Sequence, residues 1–368
     1  MRITLVISSL AAGGAERVIS NMASYWANKG WAVTLITFAK ADSDFYPLDS
    51  RVSRVSLDIA KESGNILMAI TSNLFRLLKL RKAIQYSRPD AVISFMDSVN
   101  VSTLLATRLT NIPVIVAERI DPSQHQIGKI WNCLRTWLYP KANMLVVQTQ
   151  DVLNWAVLLV GKRNAQVIPN PIGELVSRQV GSTAEFPQPF ILAVGRLDRQ
   201  KGFDLLLHAF ERLAGQHPNW SLVILGEGDE RHSLEALIQK LHIEERVRLF
   251  GRHDNPASVM MQASLFVLSS RFEGFPNALL EAMACKLPVI SFDCPSGPRE
   301  IIRNGVDGIL VSREDVDALV LAMQDLINHP EKREQLELRA TEVTERFSLN
   351  RVMGMWEKVL MDVQKEIM

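Results

Sequence analysis

The chain has 368 residues, enough for two ordinary domains that each bury a core. Hydrophobic residues make up 47% and charged residues 22%, which excludes a disordered chain. Net charge is +1, yet residues 1–172 carry 19 Lys and Arg against 11 Asp and Glu, while the remainder carries 22 against 29. A basic half joined to an acidic half suggests that the first half faces something anionic. Cys133, Cys285 and Cys294 are scattered, with no Cys-x-x-Cys pair and no cluster with histidine. That argues against a disulfide framework or a zinc site and fits a reducing cytoplasm.

The opening run MRITLVISSL breaks at paired glycines and is too short for a signal peptide, so it reads as a first strand. No stretch approaches the ~20 apolar residues needed to cross a bilayer. Apolar runs rich in Val and Ile follow at 3–8, 32–38, 91–95, 113–117 and 144–148, then at 190–195, 221–226, 246–251, 265–270, 288–292 and 308–312. Runs of this kind suit strands buried on both faces, and their alternation with helix-length segments predicts parallel, doubly wound α/β sheets. About eleven strands exceed one compact sheet of this type, so two are expected. The break falls near Val167-Ile168-Pro169-Asn170-Pro171 and the polar stretch 181–189, which reads as linker. At the end, Val352, Trp356, Val359, Leu360 and Val363 lie at helical spacing, with Ser348 a plausible N-cap.

In doubly wound sheets ligands sit beyond the C-terminal ends of strands. Three candidate loops occupy such places. After the first strand, Gly13-Gly14-Ala15-Glu16-Arg17 runs into a helix, either as a tight turn or as a close approach to an anion. After the first strand of the second half, Gly195-Arg196-Leu197-Asp198-Arg199-Gln200-Lys201-Gly202 sets two cations beside a glycine turn. Arg196 and Lys201 there could neutralise a diphosphate or simply belong to a solvated loop. Later, Glu273-Gly274-Phe275-Pro276-Asn277 leads into a helix carrying Glu281, with Asn277 read as its N-cap. Two carboxylates facing one cleft suit sugar and ribose hydroxyls.

Glu273 and Glu281 within EGFPNALLEA, preceded by GRLDRQKG and by LGEGDE at 225–230, closely resemble the retaining glycosyltransferases of family 4. The opening Gly-Gly-Ala-Glu-Arg, the VIPNP near 167–171 and NGVDGILV at 304–311 match as well. The resemblance covers nearly the whole chain. It implies two Rossmann-like domains facing a cleft, the GT-B arrangement. The first (1–172) would face acceptor and membrane, the second (173–345) would hold a nucleotide-sugar donor, and 346–368 would pack back on the first. It also implies that Arg196 and Lys201 bind the donor diphosphate and that Glu281 binds the ribose. Glu273, Gly274, Phe275 and Pro276 would lie along the donor sugar, with Asn277 beside them. The turn of Gly251 and Arg252 would line the base, and Gly14 would approach the donor phosphates. Arg196, Lys201 and Glu273 then become the catalytic candidates, since fixed cations stabilise the charge on a departing diphosphate.

Retention of configuration without a metal or cofactor also follows from the resemblance, the UDP-sugar being a substrate. Asp42-Ser43-Asp44 and Asp315-Val316-Asp317 match a metal-binding Asp-x-Asp only as text, one in a polar loop and the other in a helix. On the acceptor side, Glu16, Glu118 and Arg119 are the candidates. Arg119 stands where many family members carry a histidine. Glu118 and Arg119 could hold acceptor or donor sugar, or pair with each other; His125 is a weaker candidate.

Residues 74–88 hold Arg76, Lys79, Arg81, Lys82 and Arg88 among large apolar groups. Residues 129–141 place Trp131, Trp137 and Tyr139 among Lys129, Arg135 and Lys141. Each segment is a basic amphipathic stretch suited to anionic lipid or an ordinary domain helix with one buried face. Together with the charge split they point to a cytoplasmic protein peripheral on the inner membrane face, taking a polyprenyl-diphosphate-linked glycan as acceptor. The alternatives are the same chemistry on a soluble acceptor, or a non-catalytic nucleotide-sugar-binding protein. Nucleic acid is not expected as a partner, because the basic excess comes with no recognition motif.

Overall fold

The structure, a computed structural model, describes residues 1–59, 66–125, 127–173 and 186–365. Residues 181–185 of the expected linker lie outside these. The described chain forms two compact units, one of residues 1–173 with the segment from Leu349 onward and one ending at Ser348.

The first unit is built on a seven-stranded parallel sheet in the order β3-β2-β1-β4-β5-β6-β7. Its strands are β1 (Arg2–Ile7), β2 (Ala32–Thr37), β3 (Ser53–Ser56), β4 (Ala91–Phe95), β5 (Val114–Ala117), β6 (Met144–Val147) and β7 (Ala165–Val167). Side chains alternate between the two faces, as the period of a strand requires. Ile3, Leu5 and Ile7 pack under helices Gly14–Asn28 and Leu349–Lys365, whereas Val6 packs against the opposite layer with Leu80, Ile84 and Leu138. The closing helix buries Val352, Met353, Trp356, Val359, Leu360 and Val363, the stripe read from the sequence plus one methionine. Trp356 is fully buried, its ring 6.1 Å from that of Phe95. Each such side chain contributes about 1.5–3 kcal/mol, so this helix is part of the first unit's core.

The second unit has a six-stranded parallel sheet in the order β10-β9-β8-β11-β12-β13. These are β8 (Phe190–Val194), β9 (Ser221–Leu225), β10 (Val247–Gly251), β11 (Leu265–Leu268), β12 (Val289–Asp293) and β13 (Ile309–Ser312). The order reverses between β8 and β11, which opens a crevice at their C-terminal ends. Phe347 still belongs to this unit, its ring 5.5 Å from that of Phe275.

All eleven runs form strands. β3 and β7 are additional, and both are short sheet edges without a buried residue. Asn277 is not an N-cap: Pro276 caps helix Asn277–Ala284 and Asn277 is its first residue. Glu281 is then the fifth helical residue, one turn inside.

Candidate active site

Four loops of the second unit meet beyond the C-terminal ends of β8, β9, β11 and β12, and glycine lets them touch. A Cβ on Gly226 would lie 1.8 Å from the carbonyl oxygen of Gly195, and one on Gly228 would lie 2.3 Å from that of Leu197. Gly202 adopts left-handed φ of 61° and comes equally close to the carbonyl of Ser269. The glycines of GRLDRQKG and LGEGDE therefore serve backbone-to-backbone contact between loops. Gln200 and Arg271 tie the first loop to the third. The Gln200 side chain donates to the Phe272 carbonyl at 3.0 Å, and Arg271 donates to the Arg199 carbonyl at 2.9 Å. Arg271 also pairs with Asp204 and Glu314, which raises its pKa; Asp204 is held below its usual range by that guanidinium against the opposing effect of burial.

Within this frame Lys201 and Glu273 meet directly. The lysine stem crosses Gly195, where a Cβ would lie 3.1 Å from it, and Nζ reaches Glu273 Oε1 at 2.7 Å. The Ser270 hydroxyl donates to the same oxygen at 2.6 Å. Glu273 is buried, so its carboxylate is held by a cation and a hydroxyl rather than by water. Arg196 points outward, its side chain 69% exposed, and pairs with Asp198 at 3.1 Å. Both predicted cations therefore already have carboxylate partners. Gly274 accepts from the Ser296 hydroxyl at 3.2 Å, and Gly297, at φ 99°, lies under Pro276. Phe275, Pro276 and Glu281 are buried. Gly251 takes φ 90°, and a Cβ there would lie 2.9 Å from Glu227 Oε1. Glu227 is clamped by Arg231, which lowers its pKa, while Arg252 is exposed.

In the first unit Gly14 begins the helix Gly14–Asn28, and the Glu16 carboxylate folds over Gly13. Glu118 and Arg119 follow β5 but do not pair with each other. Glu118 is buried and accepts from the Tyr139 hydroxyl, which in turn accepts from the Asn100 amide at 3.1 Å. Burial pushes the Glu118 carboxyl up to about 7, against the opposing pull of the Tyr139 hydrogen bond and of Arg135, 4.0 Å away. Tyr139 is itself raised well above its ordinary value by burial and by Glu118. Arg119 is also buried; its guanidinium sits 4.3 Å above the Phe95 ring and donates to Asn170 Oδ1. Burial lowers it to about 9, so it remains charged at neutral pH. Nearby, Met96 closes β4 at φ 79°, a strained conformation for a residue with a side chain. His125 lies 3.5 Å from Asp97 and is half exposed.

Residues 12–173 match the model described as Glycosyltransferase Family 4, and residues 181–343 match that of Glycosyl transferases group 1. The chain belongs to this glycosyltransferase family. It is 28% identical over 99% of both chains to the Campylobacter jejuni GalNAc-α-(1→4)-GalNAc-α-(1→3)-diNAcBac-PP-undecaprenol α-1,4-N-acetyl-D-galactosaminyltransferase. Sucrose-phosphate synthase from Thermosynechococcus elongatus shares its fold with TM-score 0.84, at 18% identity and 99% coverage of both chains. Anabaena Alr3699/HepE, solved with UDP-glucose, does so with TM-score 0.81, at 17% identity over 98% of this chain and 99% of that one. The fold is GT-B, with two parallel-sheet α/β domains.

Other residues of this glycosyltransferase that the sequence singled out have local partners. Tyr139 and Arg135, in a segment suited either to anionic lipid or to a helix with one buried face, are buried. The segment ends in a one-turn 3-10 helix that points Tyr139 at Glu118. Asp44 is forked by Arg54 at 2.8 and 2.9 Å, Asp315 caps helix Val316–Asn328, and Asp317 pairs with Arg212. Among the described residues no group of three His, Cys, Asp or Glu could hold a metal. Asn100 and Gln148 carried no sequence signal, because uncharged polar groups are common in helices and loops alike; Asn170 was visible only as part of VIPNP, and Tyr139 only as an aromatic of the basic segment.

Proposed function

We propose that the chain transfers a hexose or N-acetylhexosamine from a UDP-sugar to a polyprenyl-diphosphate-linked glycan, with retention and without a metal. The observation that carries this reading is the junction of Lys201 and Glu273 at the reversal point of the second sheet, with Arg196 at its rim. A diphosphate arriving there competes with Glu273 for the Lys201 ammonium, and Arg196 can add a forked contact. Charge that develops on the leaving diphosphate is met by groups already in place, and the departing phosphate takes the acceptor's proton. Glu281 is assigned to the ribose, Gly251 and Arg252 to the base, and Gly274, Phe275, Pro276 and Asn277 to the donor sugar. Gly14 is assigned to the donor phosphates, and Glu16, Glu118 and Arg119 to the acceptor side.

The donor assignment draws on the neighbour solved with UDP-glucose, and the acceptor on the relative named for a diphospho-undecaprenol glycan. Screening UDP- and GDP-sugars by mass spectrometry, with and without EDTA, tests both nucleotide and metal. A GDP preference, or activity lost in EDTA, overturns the corresponding part.

No described helix is long and apolar enough to cross a membrane. Peripheral docking is supported by exposed Leu74, Phe75, Leu78, Leu109, Ile130 and Trp137 on the layer that carries the basic segments. Trp137 is flanked by Arg108 and by Lys141, 5.2 and 3.3 Å from its ring. Apolar tips among cations suit an anionic bilayer. Flotation with anionic liposomes should carry the protein and fail for Leu109→Ser/Trp137→Ser; equal flotation of that variant overturns this face, and no flotation favours a soluble acceptor.

A further inference from the structure

We infer that Arg119, Gln148 and Asn170, over the ring of Phe95, form a seat for an oxyanion, a phosphate or carboxylate carried by a substrate. The four residues come from the C-terminal ends of β4, β5, β6 and β7, four consecutive strands of the first sheet. That edge is where doubly wound sheets bind ligands. Arg119 is only 9% exposed, and among the described residues no carboxylate pairs with it. Its described partners are neutral: the Phe95 ring and the Asn170 amide oxygen, which also accepts from Gln148 Nε2 at 2.7 Å. Arg119 Nε and Gln148 Oε1 are buried with no hydrogen-bond partner among the described residues.

A buried cation without a counter-charge is costly, and ions taken from water are normally paired. Glu118, the adjacent carboxyl, does not serve, because it turns to Tyr139 and burial favours its neutral form. The guanidinium keeps a free N–H in a planar fork that matches phosphate or carboxylate. The Gln148 amide, rotated, would offer a second donor, since its oxygen and nitrogen exchange places at little cost. An oxyanion would complete the charge and the hydrogen bonding together. The source of the anion rests on the proposed transferase reading, while the seat itself does not.

Calorimetric titration of the full chain with inorganic pyrophosphate, at constant ionic strength, tests this. The unaltered protein should take up pyrophosphate. Arg119→Met should lose one binding event or weaken it about tenfold or more, the scale of a charge-assisted fork. Asn170→Asp places the protein's own carboxylate on the guanidinium, so it should raise Tm and abolish the same event. Lys201→Met should leave that event in place, which separates this seat from the proposed donor site. Repeating the titration with glucuronate, with glucose as blank, distinguishes a carboxylate source from a phosphate source. Uptake of pyrophosphate and glucuronate by Asn170→Asp equal to that of the unaltered protein overturns the inference, as does the same result for a folded Arg119→Met.

Discussion

Replacing Glu118 by Gln should stabilise the first unit above pH 7 and remove a pH dependence. Burial raises the Glu118 carboxyl to about 7 from 4.5. Between those values the folded protein keeps a proton that the unfolded chain has released. Stability therefore falls as pH rises through that window and levels off above it. At about 1.4 kcal/mol per pH unit, the fall amounts to about 3 kcal/mol. Gln is nearly isosteric, has no charge to desolvate, and can still accept from the Tyr139 hydroxyl. Glu118→Gln should thus match the unaltered protein near pH 5 and exceed it by up to about 3 kcal/mol at pH 8. Urea unfolding followed by tryptophan fluorescence reads the right unit, because Trp26, Trp31, Trp131, Trp137, Trp155 and Trp356 all lie in the first and only Trp220 in the second. The difference between the two pH curves cancels groups that titrate in both proteins. If Glu118→Gln is instead less stable at pH 8, by the roughly 1.5–3 kcal/mol of a charged hydrogen bond, then Tyr139 and Arg135 hold Glu118 ionised and the reasoning fails.

Lys201→Met leaves the buried Glu273 carboxylate without its cation and should cost about 3–5 kcal/mol in stability. Adding Glu273→Gln should recover most of that loss while transfer stays absent, and full transfer by the double variant would remove both residues from the chemistry. Gly226→Ala forces a Cβ to within 1.8 Å of the Gly195 carbonyl at φ 150°. It should lower Tm and weaken UDP binding together, and an unaffected UDP titration would show that the contact between the two loops does not shape the donor site.

The legible parts of this protein are those where hydrophobic burial is continuous or where charge recurs beside glycine. Central strands such as LVI of β1 and FILAV of β8 are covered on both faces, so their sequences are nearly unbroken apolar runs. β3 is SRVS and β7 is AQV, each at an edge with one neighbour, and nothing in such short polar segments sets them apart from loop. Lys201 and Glu273 were visible as charged members of motifs, but their direct contact depends on two loops 72 positions apart being drawn together by Gln200 and Arg271. Asn277 looked like a cap because Asn usually is one; Pro276, with its fixed φ, takes the place one residue earlier. In Tyr139 the amphipathic pattern left two readings open, since an aromatic at the end of a basic helix serves equally well at a lipid surface or as a buried hydrogen-bond donor, and it is the latter.

The two units handle charge at their strand ends differently. In the second, Lys201 and Arg196 each have a carboxylate in contact, so an arriving diphosphate gains their attraction only by taking over from Glu273 and Asp198. In the first, Arg119 has no such partner among the described residues, and the nearest carboxyl in sequence, Glu118, is neutralised by burial up to about pH 7. A protonated Glu118 leaves the positive charge of Arg119 uncompensated; an ionised one would offset it from the adjacent residue. The proton on Glu118 therefore sets how strongly this edge of the first sheet attracts an anion. Pyrophosphate itself gains charge near neutral pH, so the comparison is between proteins: the unaltered chain should lose Arg119-dependent uptake relative to Glu118→Gln as pH rises through about 7. A difference between the two proteins that does not change with pH would mean that Glu118 and Arg119, adjacent in sequence, are electrostatically independent.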